Sequence, residues 1–570
     1  MSTPTEIADA AATEHLLRCW VRETGLPAPP GGELRLELPA TGTCLTVPVL
    51  HWSATGWHRF GVPRVAGAAA DAATVGALVV REVTARIGAP AHAGGDAFAR
   101  LLDSAARVAA NVAERRAVPA DPPGTSPFLA AEQALLLGHP FHPTPKSRDG
   151  VTGQEAAELS PELRGSFPLH WFAAHRCVAA HEAVGDLDVP ALTRALAGDG
   201  LRLPPGAVAV PAHPWQARDL LGRPGVRALL DAGLLHDLGR AGPRWSPTSS
   251  IRTVYRPDAP VMLKLSLGLR ITNSRRNNRR SELALGVRAA RLLAAGLDAR
   301  LRRAHPAFGI VRDPAWISID APGAAESGFE TAVRDNPFGP RARVACVAGL
   351  VAERPDQPGE RARSQLAGIV AAIAARTGAS VAEVTGTWFA RYLDVVAVPL
   401  LWLYAEHGLA LEAHHQNTLV ILDRSGWPVG GRYRDSQGYY AAAGKADRLT
   451  RLLPGFGDGL PVVFDDQLVD DRFGYYLGVN NLLGLVGAAG VQGLADERAL
   501  LRALREVLQR VARDHGPDTP GVVRTLLDAP TLRCKANLLT CVDGRDELAG
   551  SVANQSLYVD IPNPLTEVRS

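Results

Sequence analysis

Helical and strand-like patterns of apolar residues both occur along this chain. Strand-like pieces lie between Leu34 and Val49, among Ala-rich segments that predict helices. In the last third, SQLAGIVAAIAAR and VAEVTGTWFARYLDVVAVPLLWLYAEHG repeat apolar residues at helical spacing. The EAHHQNTLVILDRSGWPVGGRYRD segment that follows predicts a loop, a strand, a hairpin turn at residues 423–426 and a second strand. The pattern therefore predicts a mixed fold of the α/β or α+β class.

Clusters of proline and glycine interrupt these patterns and suggest where subdomains meet. The clusters lie near Pro30, Pro122, Pro322 and Pro355. Because proline and glycine break periodic elements, such clusters are typical of boundaries and linkers. We expect three subdomains, over residues 1–130, 131–340 and 341–570.

The segment VMLKLSLGLRIT alternates between an apolar and a polar face, as a half-buried strand does. Its polar face carries Lys264, Gly268 and Thr272. In a straight strand Lys264 and Thr272 would lie roughly 26 Å apart. They can share one small ligand only if the strand bends, and Gly268 is where a bulge could form.

Composition excludes several classes of function. The 570 residues contain 61 basic and 58 acidic side chains, so the net charge of +3 gives no reason to expect nucleic acid as a partner. The six cysteines form no C-x-x-C pair, which fits a reducing cytoplasm. Neither a signal peptide nor an uninterrupted run of 18 apolar residues is apparent, so we expect no membrane span.

Lysine is rare, and three of the four lysines fall in polar clusters. The lysines are Lys146, Lys264, Lys445 and Lys535, among 61 basic residues.

The segment GHPFHPTPKSRDG carries histidines, a lysine and an arginine on a loop that its prolines make rigid. Such a loop would suit a polyanion or, more simply, form a rigid surface turn. PAHPWQ admits a ligand role for His213 or a buried packing role, of which we favour the second. SPTSSIRTV offers hydroxyls and a guanidinium, which bind phosphate or carboxylate oxygens well.

A further cluster joins carboxylates to histidines and amides. Glu412 stands in EAHHQN, and Asp435 follows after the predicted hairpin. Both could ligate a hard cation such as Mg²⁺ through oxygen. The arrangement resembles the way kinase-type sites hold magnesium and nucleotide, although no counterpart of the kinase catalytic aspartate is present. The residues by themselves indicate an ATP-dependent enzyme acting on a small anion.

Seven motifs in order, GHPFHPTPKSR, PAHPWQ, SPTSSIRTV, KLSLGLRIT, EAHHQN, GRYRDSQG and KANL, resemble those of the IucA/IucC family. These are the NRPS-independent siderophore synthetases, and the resemblance covers about residues 138–564. It implies a cupped-hand architecture with a thumb over 1–130, fingers over 131–340 and a palm over 341–570. It also implies a cytoplasmic homodimer whose partners are small molecules, with neither nucleic acid nor membrane.

The resemblance further implies a reaction in two steps. ATP activates a carboxylate of citrate, or of a related di- or tricarboxylate or its monoamide, as an acyl-adenylate with release of pyrophosphate. An amine, hydroxylamine or alcohol then displaces AMP, giving an amide or ester. Lys264 and Arg252 would offset charge on the α-phosphate, and His414 is a candidate base.

Site residues are carried over motif by motif. Those expected at ATP are His142, Lys146, Arg148, Ser250, Arg252, Thr253, Lys264 and Asn417. Those expected at the carboxylate substrate are Thr272, Arg276, His414, Gln416 and Lys535, and those expected at Mg²⁺ are Glu412 and Asp435. Arg275 beside Arg276, and His415 beside His414, leave each assignment open by one residue.

Two other functions stay open from the sequence. A small-molecule phosphotransferase would release ADP rather than AMP, and it is suggested by the kinase-like cluster. A non-catalytic synthetase homologue that only binds an anion is suggested by the cationic character of the motifs, although none of the seven motifs is missing.

Overall fold

The computed structural model describes residues 2–357, 363–435, 437–546 and 556–568. Helices and strands are interleaved throughout, which confirms the expected mixed fold class. In the described part of the chain the strands form six sheets, of which the largest has eight strands.

The N-terminal part packs three helices against a small antiparallel sheet. Its helices are Pro4–Thr24, Ala72–Arg86 and Gly95–Ala117, and its strands are Glu33–Leu38, Thr43–His51, Arg59–Phe60, Arg64–Val65 and Ala68–Ala69. The first helix begins at a capping box in which Thr3 and Glu6 satisfy each other's backbone N–H groups. Leu34, Leu36 and Leu38 are buried and alternate with exposed residues, so the strand-like pieces predicted here are confirmed.

An eight-stranded antiparallel sheet forms the middle of the molecule. In spatial order its strands are Ala179–Ala183, Ala315–Ile319, Thr331–Asp335, Val261–Lys264, Thr253–Tyr255, Leu235–Pro247, Phe167–His175 and Ala207–Ala212. Its core includes the fully buried rings of Trp171, Phe172 and Trp245. The motifs SPTSSIRTV and KLSLGLRIT therefore place two neighbouring strands, Thr253–Tyr255 and Val261–Lys264, side by side.

The strand predicted from Val261 onward is divided in two. Val261–Lys264 lies in the large sheet, whereas Leu267–Ile271 pairs with Ser274–Arg276 in a separate hairpin. At the division the Ser266 hydroxyl donates to the Glu330 carbonyl oxygen at 2.8 Å. The hairpin register also shifts across Gly268, whose N–H donates to the Gln216 amide oxygen at 2.6 Å. A bulge is thus present at the expected glycine, and the main break precedes it.

His213 has a structural role. Its Nδ1 accepts the Trp215 N–H at 3.2 Å and caps helix Pro214–Leu221. The side chain is fully buried and its ring packs edge-on against Phe167. The packing interpretation of PAHPWQ is therefore confirmed.

The last third contains the two apolar helices that the periodicity predicts. Gln365–Thr377 is followed by Val381–Tyr392, which continues through a π-helical turn, Leu393–Ala397, into Val398–His407. Val381–His407 is the one helix in the described residues that is long and apolar enough to cross a membrane, and 67% of its most apolar window is buried inside the protein. Such burial is typical of a core helix.

A four-stranded sheet carries the predicted hairpin. Its strands, in order, are Phe308–Val311, Pro428–Arg434, Thr418–Leu422 and Val344–Cys346. The turn at residues 423–426 is confirmed by Gly426 donating to the Asp423 carbonyl oxygen at 3.1 Å. Phe308–Val311 lies within the stretch 131–340 but pairs in parallel with Pro428–Arg434. Sheet membership therefore crosses the boundary expected at residue 340, because the pairing partner of an edge strand is chosen by tertiary packing.

Smaller elements complete the fold. The remaining strands are Leu409–Leu411, Tyr439–Ala442, Val463–Phe464, Thr531–Lys535 and Tyr558–Pro562. The remaining α-helices are Pro127–Glu132, Gly153–Leu159, Val189–Ala197, Pro214–Leu221, Pro224–Asp231, Arg280–Leu292, Asp298–Ala304, Val347–Val351, Ala446–Leu452, Asp466–Phe473, Gly484–Val491, Glu497–His515, Gly521–Asp528 and Asn537–Val542. Leu538 and Cys541 of the last helix pack into the core of the N-terminal part, so the end of the chain returns to its beginning.

A glycine substitution tests how closely two of these helices approach. A Cβ atom at Gly349 would overlap the backbone carbonyl of Ala131, whereas one at Gly386 would meet nothing within 4 Å. We expect Gly349→Ala to lower the free energy of unfolding by about 1–3 kcal/mol or more. Gly386→Ala should leave it unchanged or raise it by up to about 1 kcal/mol. Equal urea midpoints for both variants would contradict this packing.

Candidate active site

One cavity of about 550 Å³ collects nearly all of the residues expected at a site. Lining it are Ser250, Arg252, Thr253, Lys264, Thr272, Arg276, His142, Lys146, Glu412, His414, Gln416, Asn417, Asp435 and Lys535. The one expected residue that does not line it is Arg148. Segments from residue 142 to residue 535 thus meet at a single surface.

An ion pair between Lys264 and Asp435 lies on the cavity wall. The Lys264 side chain is 5% exposed and that of Asp435 is 14% exposed. Arg334 lies 3.6 Å from the same carboxylate oxygen, and Asp313 holds the Arg334 guanidinium through two bonds of 2.7 and 2.9 Å. Although burial opposes it, the charges of Lys264 and Arg334 hold the pKa of Asp435 well below its usual range. The site therefore keeps this carboxylate ionised.

Arg252 is held in place by Arg276 and Asn278, at and just after the second strand of the hairpin. Its Nη1 donates to the Arg276 carbonyl oxygen at 2.7 Å and to the Asn278 amide oxygen at 2.8 Å. Burial lowers the pKa of Arg252 to about 10, so the guanidinium is still charged at neutral pH. Ile251 has a φ of 67°, which is costly for a β-branched residue and typical of functional turns. This conformation lets the neighbouring Ser250 and Arg252 both reach the cavity.

The hairpin turn contains a second strained residue. Thr272 has a φ of 56°, and its hydroxyl accepts the Arg276 Nη2–H at 2.8 Å. The Thr272 carbonyl oxygen accepts from Arg100 at 3.0 Å. Arg276 lines the cavity whereas Arg275 is exposed, so the arginine that faces the site is Arg276.

The two adjacent histidines have different surroundings. Nδ1 of His414 accepts the backbone N–H groups of Gln416 at 3.2 Å and Asn417 at 3.4 Å. Its hydrogen must therefore be on Nε2. Burial lowers the pKa of His414 to about 3, so the ring is neutral at physiological pH. His415 Nε2 instead donates to the Asn481 carbonyl oxygen at 2.9 Å.

His414 consequently presents a hydrogen-bond donor. The expected role as a base does not fit, because the nitrogen that can accept a proton is occupied by backbone N–H groups. The geometry favours His414 as a neutral donor to a substrate oxygen.

The proline-rich loop supports the site from behind. Its Lys146 and Arg148 both pair with the buried carboxylate of Glu162, and Arg148 Nη1 also donates to Ser160 at 2.7 Å. His142 Nδ1 accepts the Thr144 N–H at 3.1 Å, which leaves Nε2–H to donate to Asn273 in the hairpin turn at 3.0 Å. The expected position of Arg148 near phosphates is thus not observed, because Glu162 and Ser160 hold its side chain outside the cavity.

Glu412 and Lys535 mark an aromatic part of the cavity. The Lys535 ammonium lies 5.8 Å from the ring centroid of Tyr475 and 5.2 Å from that of Tyr476. Burial raises the pKa of Glu412, an effect that the Lys535 charge opposes and the Asp435 charge reinforces. A carboxyl group and an ammonium group therefore face the same end of the site.

The oxygen donors fit a magnesium ion that arrives with phosphate. Within the described ranges no group of three or more His, Cys, Asp or Glu side chains could enclose a metal. Glu412, Asp435 and the Asn417 amide are hard oxygen donors on one wall. Mg²⁺ commonly takes one or two carboxylates and completes its shell with water and substrate phosphates.

Sequence reasoning missed Arg334, which lines the cavity, and Glu132, which holds the cavity residues Ser249 and Arg434. Glu132 accepts the Ser249 N–H at 2.9 Å and its O–H at 2.6 Å, and it pairs with Arg434 at 2.7 Å. Arg334 was missed because nothing distinguishes it, in an arginine-rich chain, from solvated arginines. For Glu132 the available signal was the short apolar segment FLAAEQALLL that surrounds it.

Two family models match the chain. That of the IucA / IucC family matches residues 127–352. That described as ferric iron reductase FhuF-like transporter matches residues 386–550. The first match contains the serine–arginine segment and Lys264, and the second contains Glu412, His414, Asp435 and Lys535.

Curated relatives match over nearly the whole chain. Rhizobactin siderophore biosynthesis protein RhbC of Rhizobium meliloti (strain 1021) is 39% identical, with 94% of this chain and 93% of that protein covered. Spermidine-citrate ligase of Bacillus anthracis is 34% identical, with 99% of both covered. The structure of ATP-bound aerobactin synthetase IucA of Klebsiella pneumoniae superposes with a TM-score of 0.87 at 29% identity, covering 98% of this chain and 99% of that one.

A pair of substitutions tests the donor role of His414. His414→Gln offers an N–H near the position of Nε2, whereas His414→Asn keeps the acceptor at the position of Nδ1 but loses the distal donor. We expect Gln to retain more carboxylate affinity than Asn, by about tenfold in KM.

The pH dependence gives a second check. Because the folded pKa of about 3 lies below that of a free imidazole, His414 stays neutral from high pH down through about pH 6.5. We therefore expect the pH profile of substrate binding by the unmodified protein to show no titration step near pH 6.5 that depends on His414. A step of that kind would be present in the unmodified protein and absent from both variants. Such a step would contradict the assigned neutral state.

Proposed function

The chain belongs to the IucA/IucC family of siderophore synthetases, and on that premise we propose that it is an ATP-dependent, AMP-forming ligase. It activates a carboxylate of citrate, or of a related di- or tricarboxylate or its monoamide, and joins it to an amine, hydroxylamine or alcohol. The observation that carries the proposal is the concentration of cationic side chains on one cavity wall around the Lys264–Asp435 ion pair. The names of the relatives, a spermidine-citrate ligase among them, support citrate and an amine as the substrates.

The charge balance of the cavity suits these substrates. Its basic side chains include Arg252, Lys264, Arg276, Arg279, Arg334, Arg434 and Lys535, and its acidic ones near them are Glu282, Glu412 and Asp435. A triphosphate and a tricarboxylate together carry several negative charges even with one Mg²⁺ bound. Fixed cations would offset those charges without reorganising during the reaction.

Adenylation is the first step of the proposed reaction. An oxygen of the substrate carboxylate attacks the α-phosphorus, and the bond to the bridging oxygen of pyrophosphate breaks with its electron pair leaving on pyrophosphate. Arg252 and Lys264 stabilise the charge that builds on the α-phosphate oxygens. Glu412, Asp435 and Asn417 would hold Mg²⁺, which when bound neutralises phosphate charge.

Condensation is the second step. The nucleophile attacks the acyl carbon, a C–N or C–O bond forms, and the bond to the phosphate oxygen breaks as AMP leaves with the electron pair. The proton lost by the nucleophile goes to water in the open cavity. Thr272, Arg276, Gln416 and Lys535 bind the spectator carboxylates, and His414 donates its Nε2–H to a substrate oxygen.

Product analysis tests the proposal directly. Purified protein is supplied with ATP, Mg²⁺ and hydroxylamine, and citrate, succinate, 2-oxoglutarate or glutamate is added in turn. We expect AMP and pyrophosphate with citrate. ADP would instead indicate a phosphotransferase, and no nucleotide product with any acid would indicate a protein that only binds.

Two lysine substitutions, one inside the cavity and one outside it, test the role of Lys264. Lys264→Ala should lower citrate-dependent pyrophosphate release by about 100-fold or more, because a preorganised charge is lost from the transition state. Lys445→Ala is the matched control, since Lys445 lies outside the cavity and donates to the Ala405 carbonyl oxygen at 2.7 Å. Near-normal turnover in Lys264→Ala would remove this residue from the mechanism.

A further inference from the structure

Glu132 ends helix Pro127–Glu132 behind the cavity wall, and its side chain is fully buried. Its Oε2 accepts the Ser249 N–H at 2.9 Å and the Ser249 O–H at 2.6 Å. Its Oε1 lies 2.7 Å from Nη2 of Arg434, whose side chain is 4% exposed. Ser249 and Arg434 line the cavity, whereas Glu132 does not. The carboxylate can therefore influence the cavity only through its neighbours.

These contacts belong to a closed ring of hydrogen bonds that passes through Gln416. The Gln416 Nε2–H donates to Ser249 Oγ at 3.2 Å. The Gln416 carbonyl oxygen accepts from Arg434, the Nε–H at 3.3 Å and the Nη2–H at 2.9 Å. The ring thus runs from Glu132 to Ser249, through the side chain and backbone of Gln416 to Arg434, and back to Glu132. It joins the segments SPTSSIRTV, EAHHQN and GRYRDSQG to one carboxylate.

The carboxylate determines the direction of the hydrogen bonds on the Ser249 side of this ring. A carboxylate paired with a guanidinium only accepts hydrogen bonds, so the Ser249 hydroxyl must donate to Glu132. Because a hydroxyl has a single hydrogen, Ser249 Oγ can only accept from Gln416. Gln416 must then present its NH₂ group, rather than its amide oxygen, to Ser249. The second N–H and the amide oxygen of Gln416 have no partner among the described residues and are left for the cavity.

We propose that Glu132 is a positioning residue for the carboxylate substrate, because it fixes which groups of the Gln416 amide face that substrate. The inference rests on the proposed function, in which Gln416 binds a carboxylate of citrate. The remaining N–H of Gln416 donates to a carboxylate oxygen of the substrate. An amide turned the other way would place an oxygen where that N–H stands and would repel the substrate.

Glu132→Gln removes the fixed direction of the ring. The new amide can accept from Ser249 or donate to it, and it faces Arg434 without a charge. We expect the Kd for citrate to rise by about tenfold. Citrate binding is measured by calorimetry in the presence of α,β-methylene-ATP, which cannot be cleaved to pyrophosphate, so the result does not depend on turnover.

Nucleotide binding distinguishes a positioning role from a general loss of structure. Ser250 and Arg252 have supports that do not involve Glu132. Ser250 Oγ accepts the Thr253 N–H at 3.2 Å, and Arg252 donates to the Asn278 amide oxygen at 2.8 Å. We therefore expect the Kd for α,β-methylene-ATP in Glu132→Gln to stay within about twofold of that of the unmodified protein. A loss of nucleotide affinity as large as the loss of citrate affinity would overturn the proposal.

A second variant interrupts the ring at another point. Ser249→Ala removes the hydroxyl but keeps the N–H at position 249 and the pair of Glu132 with Arg434. It should raise the Kd for citrate by about fivefold. Since both changes act through one ring, the double variant should bind citrate more tightly than the product of the two single effects predicts. A double variant at that product would overturn the proposal, as would an unaltered citrate Kd in either single variant.

Glu497→Gln is the matched control, because Glu497 makes similar contacts away from the cavity. Its Oε2 accepts the Ser53 O–H at 2.9 Å and the Ala54 N–H at 2.8 Å, and its Oε1 pairs with His51 at 3.1 Å. We expect this variant to lower the urea midpoint, as Glu132→Gln does, and to leave the citrate Kd unchanged. An equal loss of citrate affinity in the control would overturn the proposal.

Failure of this inference and failure of the proposed function give different results. AMP release with citrate, together with unaltered citrate affinity in the variants, would keep the proposed function and contradict the role of Glu132. Absence of AMP release in a protein whose citrate affinity still depends on the ring would contradict the proposed ligase and support the role of Glu132. Absence of citrate binding by the unmodified protein would contradict both.

Discussion

The buried ion pair between Lys264 and Asp435 is the constraint on which the rest of the site depends. It joins the eight-stranded sheet, where Lys264 stands opposite Thr253, to the end of strand Pro428–Arg434 in the four-stranded sheet. Two charges withdrawn from water are costly unless each has several partners. Asp435 has Lys264, Arg334 and the Asn417 amide, and Arg334 is itself held by Asp313. This network gives the two sheets one relative position, and with it the distance between the groups proposed to bind phosphate and those proposed to hold the metal.

Two residues on the cavity wall have strained backbone conformations, which the packing around them stabilises. Ile251 and Thr272 are two β-branched residues with positive φ, a conformation that such residues rarely adopt. Ile251 packs with Val151, Leu267 and Leu269 in a small apolar cluster. Arg100 and Arg276 hold Thr272 through its carbonyl and hydroxyl oxygens. Strained residues persist where neighbours over-determine them, and here they aim Ser250 and Arg252 at the cavity.

Two cations that are neutralised by a buried carboxylate lie behind the side chains that face the cavity. Lys146 and Arg148 share Glu162, and the lysine and arginine charges hold the pKa of Glu162 near 2 although burial opposes them. The loop that carries them braces the hairpin turn through His142 and Asn273. Lys146 and Arg148 therefore position the site, whereas Arg252, Arg276 and Lys535 face the space where a substrate would bind.

The sequence by itself determined the local elements and most of the side chains that meet in the cavity. Apolar periodicity predicted Gln365–Thr377 and Val381–His407, and the turn residues at 423–426 predicted the hairpin, because these depend on contacts between near neighbours. Of the site residues that the ordered motifs predicted, all but Arg148 line the cavity. Only the tertiary structure decided that Arg148 faces Glu162, that Phe308–Val311 joins a distant sheet, and that His414 carries its hydrogen on Nε2. It also brought Arg334 into the cavity and Glu132 against Ser249 and Arg434. Each of these depends on a partner far away in the chain, and a pattern of near neighbours contains no information about such partners.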